Sequence, residues 1–474
     1  MKRPLFSFSL SFVLIIMAIS HLFQFDHEKS VIRPQYQIEA RYNPDQQEVA
    51  GNMNVTLHNN EKNAMKEVYF RVYPNAFRDW KYGKEYKPNE PGFIDISDVE
   101  VNGQKVKSEI NETVMRIQLN KPLQHGDKVA IKMKYQLHLP EGGTRLNTFK
   151  HTAFLAQWYP MLAVRDQDGW HTEPYTTTGD PFYTQMSDFE VTFHTPKGYR
   201  VISSGNDIDH SKQKITLKQS NIRDFAAVLT TDYKVKRAQS GKTKVNLWYL
   251  DGMEDVVPTL LESAVSAMKF YGEKFGEYPY EEIDVVLGET GYGIAGMEYP
   301  GLVTSVPTIK SAKGEVPAVN VVVHELAHQW WYAMVGNNQV KEPWLDEGIT
   351  TFSEFFYMKE KMKQDEQDLL IRASKRSDEI NDAVGITSVE NVYRYPDAAY
   401  ALMVYIRPAA MMFDLMDQVG EDKVMEILNR YFHTYQYKTA TTKDFIQIAN
   451  QTLGKDYTPF FEKWLYFKDQ KESS

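Results

Sequence analysis

The sequence predicts a multidomain protein in which a β-rich N-terminal domain, a sandwich or saddle, is followed by a mostly helical domain. The chain has 474 residues, which is too many for one compact core. Up to about residue 236, many segments alternate apolar and polar side chains with a period of two, as half-buried strands do. Beyond about residue 244, longer segments place their apolar residues at helical spacing.

The first residues have the pattern of an export signal. Lys2 and Arg3 precede a mostly apolar stretch from Leu5 to Ile19, and Ala18-Ile19-Ser20 offers small residues for cleavage. We therefore predict that residues 1–25 are a signal peptide or, if they stay uncleaved, a single N-terminal membrane anchor. Either interpretation places the rest of the chain outside the cytoplasm, where it is secreted or held at the cell membrane.

The β-rich domain is predicted at residues 34–240. Turn signals such as Asn102-Gly103 separate its strands. A polar stretch from Lys236 to Lys244 marks the boundary, which we place after residue 240. The predicted strands include Tyr36–Ala40, Val49–His58, Val68–Val72, Val129–Leu137, Phe189–Phe193 and Tyr199–Ile202.

The mostly helical domain is predicted at residues 241–474. Ile283–Leu287 is a short apolar strand near its start. The predicted helices are Asp255–Phe275, Val319–Val335, Ile349–Lys363, Asp365–Ala383, Ala399–Val419, Lys423–Tyr435 and Lys443–Leu453.

Charge and cysteine content exclude several classes of function. The net charge is −9 and no strongly basic block occurs, which argues against a nucleic-acid-binding protein. The chain has no cysteine, so disulfides and thiol catalysis are excluded. A transition-metal site in this protein must therefore be built from histidine and carboxylate.

The most informative motif is His324-Glu325-Leu326-Ala327-His328, followed after eighteen residues by Glu347. Positions i and i+4 share one helix face, so His324 and His328 can bind one metal ion. Glu347 lies in a second stretch with a helical pattern and supplies a third ligand, which leaves a fourth position open as catalytic zinc requires. A core helix with two hydrogen-bonded histidines is the competing interpretation.

Such a centre has a recognisable chemistry. Zinc held by these three residues lowers the pKa of its water and polarises a substrate carbonyl. Glu325 is placed to take the proton from the water and pass it to the leaving amine. An oxyanion forms in the attack, so a further hydrogen-bond donor is needed.

These residues resemble the gluzincin aminopeptidases, the family of aminopeptidase N and leukotriene hydrolase, over roughly residues 36–466. Besides the zinc motif, Gly296-Met297-Glu298-Tyr299 is similar to the family's G-x-M-E-N segment and begins about 28 residues before His324. Tyr405-Ile406-Arg407-Pro408-Ala409 looks like its Y-x-K-G-A segment, and Tyr400 reproduces a tyrosine five residues earlier. Gln157-Trp158-Tyr159-Pro160 resembles part of its β-domain.

The resemblance implies a thermolysin-like zinc peptidase domain with one zinc ion per chain, held by His324, His328 and Glu347. Glu325 would be the general base and Tyr405 the oxyanion donor, with Tyr400 a weaker candidate. Glu298 would bind the substrate's free α-amino group, and Glu354 would orient a zinc-binding histidine. The residues expected to line the substrate site are Gly296, Met297, Glu298 and Gln157.

Two positions depart from the family pattern. The asparagine after the Met-Glu pair is Tyr299 here, and the lysine after the catalytic tyrosine is Arg407, followed by Pro408. Pro408 lacks an N–H, so we expect a kink just beyond Tyr405. Larger relatives continue with a helical domain that covers the active site, so the resemblance implies a short form with a more open cleft or with a cleft closed by a partner.

The favoured hypothesis is a zinc aminopeptidase whose partners are peptides with a free N-terminus. A zinc endopeptidase with the same centre is the nearest alternative, because Tyr299 alters the segment that carries Glu298. A non-catalytic exported binding protein with this fold is a third hypothesis.

Overall fold

A computed structural model describes residues 32–80, 87–142, 145–206, 212–288, 294–311 and 314–468. The predicted leader at residues 1–25 lies outside the described residues. Within the described part of the chain, strands dominate the first half and helices the second half, which confirms the predicted fold class.

The β-rich part contains strands that we label β1 to β17 in chain order. One 3₁₀ turn, Tyr73–Phe77, follows β3. The strands are Gln35–Asn43, Glu48–His58, Met65–Arg71, Phe93–Val101, Gln104–Lys105, Ser108–Asn111, Val114–Leu123, Lys128–His138, Asn147–Phe149, Thr152–Leu155, Met161–Leu162, Arg165–Asp166, Gly169–Trp170, Ser187–His194, Arg200–Ser203, Lys214–Ile222 and Ala227–Thr230.

The largest sheet has the strand order β16-β14-β1-β2-β8-β4-β5. Side chains along β1, β2 and β8 alternate between buried and exposed, so one face of the sheet packs on the core. This alternation fixes the register, because a slip of one residue would turn every apolar side chain toward solvent. Val55 thus pairs with Ile131, and Met53 pairs with Met133.

Two four-stranded sheets accompany it, with the orders β15-β17-β10-β9 and β11-β3-β7-β6. Val55 of the large sheet and Phe70 and Ile117 of the β3-β7 pair belong to one buried apolar cluster. The aromatic side chains of Trp158 and Phe193 lie in the same core, with ring centroids 5.4 Å apart. The sheets therefore enclose a common core, as expected for a sandwich.

The second part of the chain contains strands β18 to β26 and helices α1 to α9. The strands are Lys234–Ser240, Thr243–Tyr249, Glu282–Leu287, Gly296–Met297, Leu302–Ser305, Thr308–Ser311, Gly314–Pro317, Val335–Gly336 and Lys438–Thr439. The helices are Val257–Lys274, Val319–Ala327, Trp344–Met362, Gln367–Val384, Asp397–Tyr400, Arg407–Val419, Glu421–Tyr435, Thr442–Leu453 and Thr458–Tyr466. A 3₁₀ turn, Val392–Arg394, precedes α5, and a π-helical turn, Ala401–Ile406, joins α5 to α6.

The five-stranded sheet of this part has the order β18-β19-β20-β22-β21. Its strand β20 is buried throughout and runs parallel to both neighbours, which is why Ile283–Leu287 is continuously apolar. Strand β18, Lys234–Ser240, pairs with β19 in this sheet. The boundary predicted after residue 240 thus falls between two paired strands of this sheet, β18 and β19.

The zinc-motif helix is shorter than predicted. Helix α2 ends at Ala327, although the apolar pattern continues to Val335 without Pro or Gly. Tertiary contacts end the helix, because Trp330 Nε1 donates to Gly276 O at 2.8 Å and Trp331 Nε1 donates to Ser353 Oγ at 3.0 Å. Both indoles are buried, so packing determines the backbone path here.

Arg223 joins the two domains. Its guanidinium is buried between β16 and β17 and donates to Thr184 O at 2.9 Å within the β-rich domain. It also donates to Tyr332 O at 2.7 Å and to Lys438 O, both in the second domain. Burial lowers the pKa of this guanidinium, and the three carbonyl groups compensate by accepting its hydrogen bonds.

Replacing Arg223 with Met is expected to reduce the free energy of unfolding by about 3 kcal/mol or more, because buried carbonyl groups lose their donors. Urea denaturation would measure the change. Arg237→Met on the exposed edge strand β18 is the matched control, and it should stay within about 0.5 kcal/mol of wild type. A similarly small change for Arg223→Met would show that this guanidinium does not hold the domains together.

One helical stretch of the described residues, Asp397–Val419, is long and apolar enough to cross a membrane by length and composition. Of its most apolar window, 72% is buried inside the protein. The stretch consists of α5, the π-helical turn and α6. Because most of it is buried, it is a core helix of this domain.

Candidate active site

The two histidines of the motif lie at the C-terminal end of helix α2. Val322 and Val323 are buried in the core and fix the helix, which directs the other side toward a cavity. His324 Nε2 and His328 Nε2 are 3.2 Å apart. The i and i+4 spacing therefore brings the two imidazoles to one point, as the sequence predicted.

Glu347 reaches the same point from the first turn of helix α3. Its Oε2 lies 3.4 Å from His324 Nε2 and 3.3 Å from His328 Nε2. Ligands about 2.1 Å from a tetrahedral zinc ion are roughly 3.4 Å from one another, so this triangle has the size that zinc needs. Glu347 Oε2 is buried without a hydrogen-bond partner, and a metal ion would satisfy it. The three residues therefore fit a zinc ion.

The electrostatics of the three donors favour a cation. Burial alone would lower the pKa of His324, but the adjacent Glu347 and Glu354 carboxylates raise it to about 10. Burial opposes ionisation of Glu347, yet the two imidazoles hold the pKa of that carboxyl below its usual range. The carboxylates thus surround the imidazoles with negative charge, which a divalent cation can neutralise in place of protons.

The other ring nitrogen of each histidine is also engaged. His324 Nδ1 lies 3.0 Å from Glu354 Oε2, the carboxylate that was expected to orient a zinc-binding histidine. His328 Nδ1 lies 3.0 Å from Trp331 O and 2.8 Å from Asp346 Oδ1. These contacts fix the orientation of both rings and direct Nε2 toward the metal position.

Glu325 follows His324 on α2, and its carboxylate faces the cavity beside Gly296 of β21. Burial raises the pKa of Glu325 to about 7. A Cβ built on Gly296 would lie only 2.6 Å from Glu325 Cδ. Gly296 therefore provides the space in which the Glu325 carboxylate sits.

Gly296→Ala is expected to lower kcat by about 10- to 100-fold, because the added methyl group displaces the Glu325 carboxylate. Zinc content should stay unchanged, since the atoms nearest to the added methyl group all belong to Glu325 and not to a metal donor. Steady-state kinetics with metal analysis would measure both. Gly272→Ala in helix α1, where φ is not positive and a new Cβ meets nothing within 4 Å, controls for the loss of a glycine. A kcat equal to that of wild type in Gly296→Ala would contradict this role.

Tyr405 lies on the π-helical turn, and such turns are frequent at functional sites. Its hydroxyl donates to Glu347 Oε1 at 2.6 Å, which places the donor beside the metal position. Burial raises the pKa of Tyr405 well above its ordinary value, so the hydroxyl keeps its proton. Instead of an isolated kink, the helix changes from π to α geometry at Arg407, with Pro408 in the first turn of α6.

Glu298 is buried and lines the same cavity of about 380 Å³ as the three metal donors. Within the described parts of the chain, no cationic side chain forms an ion pair with its carboxylate. Burial and the nearby Asp180 carboxylate raise its pKa well above the ordinary value. Tyr299, the departure from the family pattern, is buried in a separate apolar cluster with Phe154 and does not line the cavity.

Of the other predicted positions, Gly296, Met297 and Tyr400 line the cavity but Gln157 does not. Gln157 is buried and donates to Asp224 Oδ2 at 2.9 Å, so its contact with substrate stays a prediction. The β-rich domain instead contributes Asp180 and Arg145, which sequence reasoning missed. Their only sequence signal is an acidic residue in the turn-rich segment Gly179-Asp180-Pro181, which is too common to be specific.

Comparison with known families is consistent with this geometry. Residues 259–464 match the family described as "Peptidase family M1 domain". The matched region contains the three metal donors, Glu325, Glu298 and Tyr405.

Several curated proteins are similar to parts of the chain. Leucine aminopeptidase 2-1 of Meyerozyma guilliermondii is 26% identical over 215 residues, which cover 40% of this chain and 33% of that protein. The puromycin-sensitive aminopeptidase of Caenorhabditis elegans is 22% identical over 312 residues, which cover 60% of this chain and 32% of that protein. The chain thus spans about a third of the length of these relatives.

Among solved structures, the M1 zinc metallopeptidase of Deinococcus radiodurans is similar with a TM-score of 0.65 and 17% identity, covering 91% of this chain and 94% of that one. A mutant of that protein bound to a Tyr-Ser-Ala substrate gives a TM-score of 0.64 at 17% identity and the same coverage. These similarities show that the two-domain fold is shared.

Proposed function

We propose that this chain, whose residues 259–464 match the M1 peptidase domain, is a zinc aminopeptidase of the gluzincin type. It would remove N-terminal residues from peptides. The observation that carries this proposal is Glu298, a buried carboxylate without a cationic partner among the described residues, in the same cavity as His324, His328 and Glu347.

His324, His328 and Glu347 would hold the zinc ion. When bound, zinc supplies Lewis-acid chemistry, lowering the pKa of a water molecule and polarising the scissile carbonyl. Glu325 accepts the proton of the attacking water and then delivers it to the leaving amine. Its place beside Gly296, inside the cavity, supports this role.

Tyr405 donates its hydroxyl to the oxyanion that forms at the scissile carbonyl. Its hydroxyl lies 2.6 Å from Glu347 Oε1, so it is already beside the place where the carbonyl must sit. Because its pKa is raised, it stays a donor through the working pH range. A preorganised donor of this kind stabilises charge that develops in the transition state without a cost of reorganisation.

Glu298 binds the substrate's α-ammonium. In a buried cavity an ammonium and a carboxylate attract each other strongly, because little water screens them. Glu298 thereby selects chain ends, which distinguishes an aminopeptidase from an endopeptidase. The burial of Tyr299 away from the cavity leaves Glu298 free for this task.

The test compares L-leucyl p-nitroanilide with its N-acetylated copy. We expect kcat/KM for the free amine to exceed that for the acetylated substrate by at least about 100-fold, because the acetyl group removes the charge that Glu298 binds. Activity should disappear with a chelator and return with zinc. Equal cleavage of both substrates would favour the endopeptidase alternative, and no hydrolysis by zinc-loaded protein would favour a binding protein.

We further propose that the protein works outside the cytoplasm, secreted or anchored to the cell membrane. The support is the cationic and apolar sequence of residues 1–25. Fractionation of cells that express the full chain, followed by N-terminal sequencing of the product, tests this proposal. Recovery of the uncleaved protein from the cytoplasm would contradict it.

A further inference from the structure

Part of the wall of the cavity comes from the β-rich domain. It is formed by the strap, which we define as residues 174–180, between β13 and β14. We propose that Asp180, at the end of the strap, is a second carboxylate that binds the substrate's α-ammonium, and that Arg145 positions it. The amine site is then shared between the two domains. This inference rests on the proposed aminopeptidase function.

Asp180 is held in place at the cavity. Its Oδ1 accepts a hydrogen bond from Arg145 Nη1, and the two side chains are only 17% and 13% exposed. The Arg145 guanidinium in turn lies over the Phe182 ring, 4.8 Å from its centroid. Among the described residues, no side chain donates to Asp180 Oδ2. One carboxylate oxygen is therefore anchored while the other is available to a ligand.

The strap itself is fixed against the second domain. Tyr393 donates its hydroxyl to Pro174 O, and Thr178 Oγ1 lies 3.5 Å from Asp397 Oδ1. Gly179 has φ +66°, and a Cβ there would lie 2.7 Å from the Tyr400 ring. The strap therefore packs directly on the helical stretch that carries Tyr400 and Tyr405. These contacts hold the wall of the cavity in place where a ligand amine would bind beside Asp180.

The side chains that line the cavity carry an excess of negative charge, which favours the binding of a cationic ligand. Four carboxylates line the cavity in addition to the metal donors, namely Asp180, Glu298, Glu325 and Glu354. Arg145 is the only arginine or lysine among its lining residues that the structure describes. Like-charged carboxylates in a buried cavity repel one another, and the Asp180 charge contributes to the raised pKa of Glu298. A primary ammonium has three N–H donors and relieves this repulsion by binding both carboxylates.

Arg145 holds the Asp180 carboxylate in one orientation through their direct contact. The guanidinium fork fixes the carboxylate geometry better than a lysine can. Arg145 is thus a positioning residue, whereas Asp180 and Glu298 contact the substrate.

The experiment measures KM and kcat of Asp180→Asn on L-leucyl p-nitroanilide. We expect KM to rise by about 10- to 100-fold with a smaller change in kcat, since one charge-assisted hydrogen bond to the amine is weakened. The preference for the free amine over the N-acetylated substrate should fall by a similar factor. Asp168→Asn is the matched control, because Asp168 lies in the same domain and pairs with Lys341 away from the cavity.

A second readout avoids turnover altogether. Binding of L-leucinamide and N-acetyl-L-leucinamide to the zinc-loaded Glu325→Gln protein is measured by calorimetry, with and without Asp180→Asn. We expect Asp180→Asn to weaken binding of the free amine by about 10-fold or more and to leave the acetylated ligand unaffected. Equal weakening of both ligands would indicate a general structural effect and overturn the proposal.

The outcomes separate this inference from the proposed function. If Asp180→Asn keeps the wild-type KM and the wild-type preference while Glu298→Gln loses them, the second carboxylate is refuted and the aminopeptidase function stands. If wild type already cleaves both substrates equally, the aminopeptidase function itself fails. If Asp180→Asn does not fold, Asp180→Glu replaces it. A raised KM in that variant supports the proposal, and an unchanged KM overturns it.

Discussion

Glu325→Gln is expected to lower kcat by about 10²- to 10⁴-fold while the protein keeps one zinc ion per chain. The glutamine amide has nearly the same shape, so it still fits beside Gly296, but it cannot accept the proton of the attacking water. His324, His328 and Glu347 remain unchanged, so metal binding should survive. Steady-state kinetics and metal analysis of the same preparation would measure both quantities.

The pH profile adds a second signature of Glu325. Activity of wild type should fall as the pH drops, because protonation of Glu325 removes the general base. This acidic limb should be absent from the residual activity of Glu325→Gln. Glu379→Gln on the exposed face of α4 is the control and should leave kcat unchanged. Wild-type activity in Glu325→Gln would refute the mechanism.

Tyr405→Phe is expected to lower kcat by about 10²- to 10³-fold with KM changed only a few-fold. The ring still packs beside His324, but the hydroxyl that donates to Glu347 and then to the oxyanion is lost. An interaction that forms in the transition state affects kcat rather than KM. Kinetics on L-leucyl p-nitroanilide would show this split.

Tyr400→Phe is the matched control for Tyr405→Phe. Tyr400 lies on the same helical stretch with its ring 5.9 Å from that of Tyr405, and it packs against the strap at Gly179. We expect its kcat to stay within a few-fold of wild type. If Tyr400→Phe lost as much activity as Tyr405→Phe, the assignment of the oxyanion donor to Tyr405 alone would be contradicted.

The part of the site that the sequence predicted rests on local periodicity. His324 and Glu325 lie on one short helix whose C-cap is His328, and the seven-residue spacing from Glu347 to Glu354 follows the helical repeat. The relative positions of these residues therefore follow from helix geometry. The long strands were predictable for a similar reason, because one buried face imposes a period of two on the sequence.

The remaining features depend on contacts between distant segments. Asp180 lines the cavity from a loop of the other domain. Gln157 is not among the lining residues, and its side-chain amide donates a hydrogen bond to Asp224. The end of α2 at Ala327 is imposed by the hydrogen bonds of two tryptophans with Gly276 and Ser353. Such long-range partners leave no periodic signal in a single sequence.

The zinc centre is tested most directly by anomalous X-ray scattering at the zinc absorption edge from crystals of the purified protein. We predict one peak per chain, about 2.0–2.2 Å from His324 Nε2, His328 Nε2 and Glu347 Oε2. Glu298, His328 and Asp346 also offer donor atoms within 4.8 Å of one another. A peak between those three residues, or no peak beside Glu347, would contradict the proposed centre.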